Sequence, residues 1–111
     1  MAIAELRLRA GVEKSLFFSE TIASGETGST IKIPPLGPGN CRILCTIIAG
    51  AGTGKFQWTS SSDTAVENGT AVWQDWNKGD VTGTVSDVII VQITGLRGVS
   101  ANGEIDIEVV L

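Results

Sequence analysis

The stretch Gly50-Ala51-Gly52-Thr53-Gly54-Lys55 is the first candidate for chemistry, because glycine-rich loops ending in lysine can cradle phosphates. A phosphate loop needs four residues between its first glycine and the Gly-Lys pair, then Ser or Thr. Here three residues separate Gly50 from Gly54, and Phe56 follows Lys55. The residues beyond read as a strand, so no helix N-terminus stands ready to hold an anion. The stretch is expected to be a flexible hairpin loop. Ser60, Ser61 and Ser62 could supply a nucleophile, but the chain has no histidine, the commonest general base. Asp63, Glu67, Asp75, Asp80 and Asp87 fall in or beside loops. Their spacing matches no EF-hand, and they read as solvated carboxylates. Asn68-Gly69-Thr70 is formally a glycosylation sequon without a secretory context. The two cysteines, Cys41 and Cys45, would lie about 13 Å apart on one extended strand, beyond disulfide reach. Without histidine they also fall short of a zinc site, and they read as reduced thiols in or beside the core. The expectation is a non-enzymatic protein with no catalytic residues, no metal and no cofactor.

The elements that would carry these residues are strands. Ile105, Ile107, Val109 and Leu111 alternate with Glu104, Asp106 and Glu108, the pattern of a half-buried antiparallel strand. Leu6 and Leu8 alternate with Glu5, Arg7 and Arg9, and Ile31 and Ile33 flank Lys32. Further strands are expected over Leu16–Thr21, Cys41–Ala49, Lys55–Ser60, Ala71–Trp76, Val81–Val85 and Val88–Thr94. The run Val88-Ile89-Ile90-Val91 is β-branched and apolar on both faces, which predicts a central strand. Turn chemistry separates these runs. Ser24-Gly25-Glu26-Thr27-Gly28 is one break, and Pro34-Pro35-Leu36-Gly37-Pro38-Gly39-Asn40 is a stiff extended connection. Asn102-Gly103 suits a type I′ hairpin turn. A single helical turn near Asp63 to Asn68 is the only helix expected. The chain, 111 residues with 42% hydrophobic and 18% charged side chains, is long enough for one core. The expected fold is one all-β domain over residues 1–111. It is an antiparallel β-sandwich, jelly-roll or immunoglobulin-like, of about eight or nine strands.

Net charge is −4 and the eight Lys and Arg residues are scattered, which argues against nucleic acid as a partner. No apolar run is long enough to span a membrane as a helix. Glu5, Arg7 and Arg9 break the first apolar stretch, so no signal peptide is expected and the protein reads as cytosolic at synthesis. The tryptophans carry more information. Phe56 and Trp58 share one face of their strand, expected to be the core face. Trp73 and Trp76 are three apart and in a regular strand would point to opposite faces, unless a bulge or turn at Gln74-Asp75 brings both inward. A tryptophan outside the core covers a loop, a subunit or a ligand. Beside acidic loops it could also form a sugar platform, so the alternative is a carbohydrate-binding or receptor-binding module.

The order of features after Gly54 is Gly-Lys-Phe-Gln-Trp-Thr-Ser-Ser-Ser, then Glu67-Asn68-Gly69-Thr70-Ala71-Val72-Trp73. Next come Asp75-Trp76-Asn77-Lys78-Gly79-Asp80-Val81 and a strand ending Ile93-Thr94-Gly95-Leu96-Arg97-Gly98-Val99. Over residues 54–111 this resembles small all-β virion structural proteins of tailed bacteriophages, of the head decoration (cement) type. The resemblance rests on Trp73, Trp76, Gly79, Thr94 and Arg97. It implies a part added to a capsid or tail lattice, located in the virion, with the major capsid protein or another virion protein as partner. It also implies a symmetric homo-oligomer, a trimer first. Trp73, Trp76 and Arg97 make the expected protein-interface set. Arg97 alone reads equally as a buried ion-pair partner or as a solvated loop charge.

Overall fold

The structure, a computed structural model, describes residues 3–5, 7–8, 16–34 and 42–111. Its strands are β1 (Ile3–Glu5), β2 (Arg7–Leu8), β3 (Leu16–Ile22), β4 (Thr30–Lys32), β5 (Ile43–Ile48), β6 (Thr53–Thr59), β7 (Gln74–Asp75), β8 (Thr84–Ile89), β9 (Gly95–Asn102) and β10 (Ile105–Val110). One helix, α1 (Asp63–Asn68), lies where a helical turn is expected. Ser62 Oγ accepts from Ala65 N at its start, and Gly69 closes it at φ 75°.

The strands form two five-stranded sheets, ordered β1-β4-β9-β6-β7 and β2-β3-β10-β5-β8. We call them the β9 sheet and the β10 sheet after their middle strands. All pairings are antiparallel except that of β1 with β4. From β3 onward every connection except β6 to β7 crosses between sheets. The order β3-β10-β5-β8 facing β4-β9-β6-β7 is the double Greek key of a jelly roll, which decides against the immunoglobulin-like arrangement. The short strands β1 and β2 extend one edge of each sheet, beside the eight strands of the two keys. Leu6, Arg9, Pro35 to Asn40 and Cys41 lie outside the described residues.

The core fills the space between the sheets with the inward positions of alternating strands: Ile43, Cys45 and Ile47 of β5, Phe56 of β6, Leu96 of β9, and Ile105, Ile107 and Val109 of β10. The β10 alternation is as read from sequence. With β3 and β5 on either side, this strand is central.

Several expectations need correction. Val88 to Val91 is not a central strand: β8 is the outer strand of its sheet, and Val88, Ile90 and Val91 are 43%, 70% and 49% exposed. β-Branching favours extended backbone, but it does not report whether both faces are covered. The strands expected over Val81–Val85 and Val88–Thr94 collapse into the single β8, with Val81 contributing only an isolated bridge to Gly54. That over Ala71–Trp76 shortens to β7. β9, the middle of its sheet, is a strand of its own, where the sequence reading has only the tail of one strand ending at Val99. Gly98 hides it: a Cβ there would lie 2.8 Å from Ile22 Cδ1 and 3.0 Å from Ile107 Cγ2, so the close approach of the sheets demands a residue without one. Asn102-Gly103 does turn the chain, with Gly103 at φ 75°, but it joins β9 to β10 in the opposite sheet and is an arch, not a hairpin. The same holds for Gly50 to Thr53 between β5 and β6, an arch held to its neighbours by Gly52 N to Ala49 O (2.7 Å) and Gly83 N to Gly50 O (3.0 Å).

Candidate protein-interaction surfaces

The expected interface residues are divided by the fold. Trp76 is 2% exposed and packs edge-on against Phe56, ring centroids 5.1 Å apart, while its Nε1 donates to Gly79 O at 2.7 Å. Alternation along β7, with Asp75 outward beside Gln57, turns Trp76 inward, so the two tryptophans take opposite faces as their spacing implies and no turn at Gln74-Asp75 brings both inside. Trp76 is a core residue with no surface to offer a neighbour, which corrects its place in the interface set. Trp73 stays on the outer face of the β9 sheet, half-buried, where its ring edge lies over Gly95 beside Val66 of α1. Arg97 meets it there. The guanidinium carbon stands 4.1 Å from the Trp73 ring centroid, and Nε donates to Gln57 Oε1 at 2.9 Å. Arg97 is therefore neither an ion-pair partner nor a solvated loop charge among the described residues. It is a strand residue stacked on an aromatic ring, and burial pulls its guanidinium below the ordinary value.

Cross-strand pairing extends this cluster into a ladder. Gln57 Nε2 donates to Asp75 Oδ1 at 2.9 Å, and Lys55 Nζ donates to Asp75 Oδ2 at 3.0 Å. The Gln57 amide first, then the Lys55 ammonium, hold the Asp75 carboxyl below its usual range. Each side chain in the ladder already has a partner inside the molecule. The ring face that a sugar would stack on is occupied by Arg97.

Several of the serines and carboxylates considered for catalysis perform local structural work. Ser62 caps α1, Ser61 Oγ accepts from Val72 N at 3.0 Å, and Glu67 pairs with Lys32 at 2.6 Å. Asp87 Oδ1 accepts from the amide of Val88 at 2.9 Å. Among the described residues no three His, Cys, Asp or Glu side chains come together as metal ligands. Nor is any described helix long and apolar enough to cross a membrane. A cleft of about 420 Å³ opens beside Glu20, Ser29, Thr30 and Arg97. Both Glu20 carboxylate oxygens there accept from Ser29, from its N at 2.9 Å and its Oγ at 2.5 Å.

A second surface, missed from sequence, is the outer face of the β10 sheet. Register aligns its outward residues in rows across the strands. One row is Phe17, Val110, Leu44 and Val88. The next is Ser19, Glu108, Thr46 and Ser86, and the third is Thr21, Asp106, Ile48 and Thr84. The first row is apolar across four strands, with Leu44 41% and Val88 43% exposed. Beyond it stand Arg42, exposed, and Ile90, 70% exposed. The signal was present in Leu44 and Ile48, apolar residues at the outward positions of β5. The run around them is apolar on both faces, so alternation alone does not tell its inward side from its outward side.

Comparison of the chain with protein-family models, with curated proteins and with solved structures finds no match.

Proposed function

We propose that this protein is a non-enzymatic assembly module, and specifically a virion structural protein of the head decoration (cement) type that binds and stabilises a capsid lattice. The observation that carries the reading is the apolar row on the outer face of the β10 sheet. An apolar strip on an otherwise acidic domain is characteristic of a surface that another protein covers. The jelly-roll order and the likeness of residues 54–111 to phage virion proteins support the viral form of this reading. Fold alone does not assign function, and the row gives the reading its site. The sugar-binding alternative draws less support, because Arg97 covers the Trp73 ring face that a platform needs.

The test is cosedimentation of the purified protein with capsids of the phage that encodes it. The wild-type chain is expected to pellet with capsids, and Leu44→Asp is expected to stay in the supernatant while melting at an unchanged temperature. A wild-type chain that leaves capsids untouched would remove the decoration reading.

A further inference from the structure

The outer face of the β10 sheet has a pattern that selects one occupant. On one side of the apolar row lies Arg42, placed outward by continuing the β5 alternation of buried Ile43 and exposed Leu44 one residue back. On the other side lies Glu108, half-buried on β10, opposite Thr46 of β5. Neither Arg42 nor Glu108 forms an ion pair among the described residues. Asp106, one row further, is already engaged by the Thr21 hydroxyl at 2.6 Å.

We infer that this face pairs with the same face of a second copy, about a two-fold axis parallel to the sheet and lying between the two faces, along the row of Val110, Leu44 and Val88. The inference rests on the assembly reading and names the first partner of its surface. An axis along the row places each apolar side chain against its own copy. It also carries the row beyond Leu44 onto the row before it. Arg42 of each copy then stands over Thr46 of the other, one strand spacing (about 4.8 Å) from Glu108 of that copy. Two symmetric Arg42–Glu108 contacts flank an apolar seam, the self-complementary pattern a two-fold interface requires. The competing two-fold, along the strands, sets Glu108 against Thr46 and Asp106 against Ile48. It leaves Arg42 without a carboxylate and presses an acid onto an apolar side chain, so it is disfavoured.

Three rows across four strands cover roughly 400 Å² per copy from strand and residue spacings, about half the usual area of a stable partner surface. The dimer is therefore weak in solution. It strengthens when many copies are held on a common lattice, where local concentration replaces intrinsic affinity. The geometry gives a two-fold pair where the sequence resemblance implies a trimer.

Sedimentation equilibrium of the full chain, from micromolar to millimolar concentration, tests this. The expected result is a monomer–dimer equilibrium. Arg42→Glu and Glu108→Arg should each weaken it about tenfold, and the double reversal should restore it to within about threefold. Leu44→Asp should abolish it, and all variants should melt like the wild type, since the altered side chains lie outside the core. A strict monomer at every concentration overturns the inference. So does an oligomer indifferent to Leu44→Asp, or charge reversals that fail to rescue one another. If the chain is monomeric yet Leu44→Asp still abolishes capsid binding, the self-pairing falls and the assembly reading stands. If the wild-type chain neither self-associates nor binds capsids, both fall.

Discussion

Cys45 lies on β5 with no exposed surface, its sulfur 3.8 Å from the Ile43 carbonyl. Burial first, and the nearby Asp87 carboxylate second, push its thiol up to about 12. The unfolded chain gives up this proton near the ordinary thiol value, so between that value and about 12 the folded state holds a proton the unfolded state has lost. The stability Cys45 contributes is thus complete below the ordinary thiol value and is lost progressively as pH rises toward about 12. A thiol-specific chromogenic reagent at pH about 8 should leave the native Cys45 unmodified and react once denaturant is added, because only the thiolate attacks. Glycines make a second prediction at this scale. A Cβ at Gly52 would meet the Asn102 carbonyl oxygen at 2.6 Å, which is backbone and cannot step aside. At Gly98 it would meet the mobile end of Ile22 at 2.8 Å. Both Gly52→Ala and Gly98→Ala should destabilise by about 1–3 kcal/mol, with Gly52→Ala the larger, as read from urea midpoints. The tryptophans divide by the same kind of local detail. A spacing of three left open whether a turn redirects one of them. No turn does: the extended Gln74-Asp75 segment keeps the alternation, so Trp76 enters the core while Trp73 stays outside under Arg97.

Among elements, β10 was legible as a separate strand and β9 only as the tail of another, for one physical reason. Ile105, Ile107 and Val109 are large, and their alternation survives in the sequence as hydrophobicity. The buried face of β9 uses Leu96, Gly98 and Ser100, where small size and hydrogen bonding replace apolar bulk. The reverse happened at Val88 to Val91. Apolar side chains mark a strand there, but their outward members serve a surface and not the core. The all-β sandwich and the helical turn at Asp63 to Asn68 could therefore be read from pattern. The strand order needed long-range pairing, which no local pattern encodes. Ser100 shows how these arches are fastened: its hydroxyl donates to Gly103 O at 2.5 Å and accepts from Gly25 N at 3.3 Å, tying the β9–β10 arch to the turn after β3. Ser100→Ala should lower unfolding stability by about 1–3 kcal/mol, since it strips partners from a buried site. Chemical denaturation would check it, and an unchanged midpoint would mean the arch is held by its backbone alone.

At the scale of the whole molecule, the two outer faces have opposite characters. The β9 sheet presents Trp73, Arg97, Gln57, Asp75 and Lys55 already joined to one another. The β10 sheet presents an apolar row flanked by Arg42 and Glu108, charges without ion pairs among the described residues. A lattice contact gains more from the second, because apolar area is released from water without breaking an existing network. Sequence pointed to the first face through its tryptophans. The second came into view only when register aligned residues from β3, β10, β5 and β8. The most direct measurement is capsid binding compared between the two faces, with Leu44→Asp, Val88→Lys and Trp73→Ala each cosedimented against the wild type. The expected result is that both changes on the β10 sheet abolish binding while Trp73→Ala retains it. Binding lost with Trp73→Ala and kept with Leu44→Asp and Val88→Lys would contradict it and move the interface to the other face.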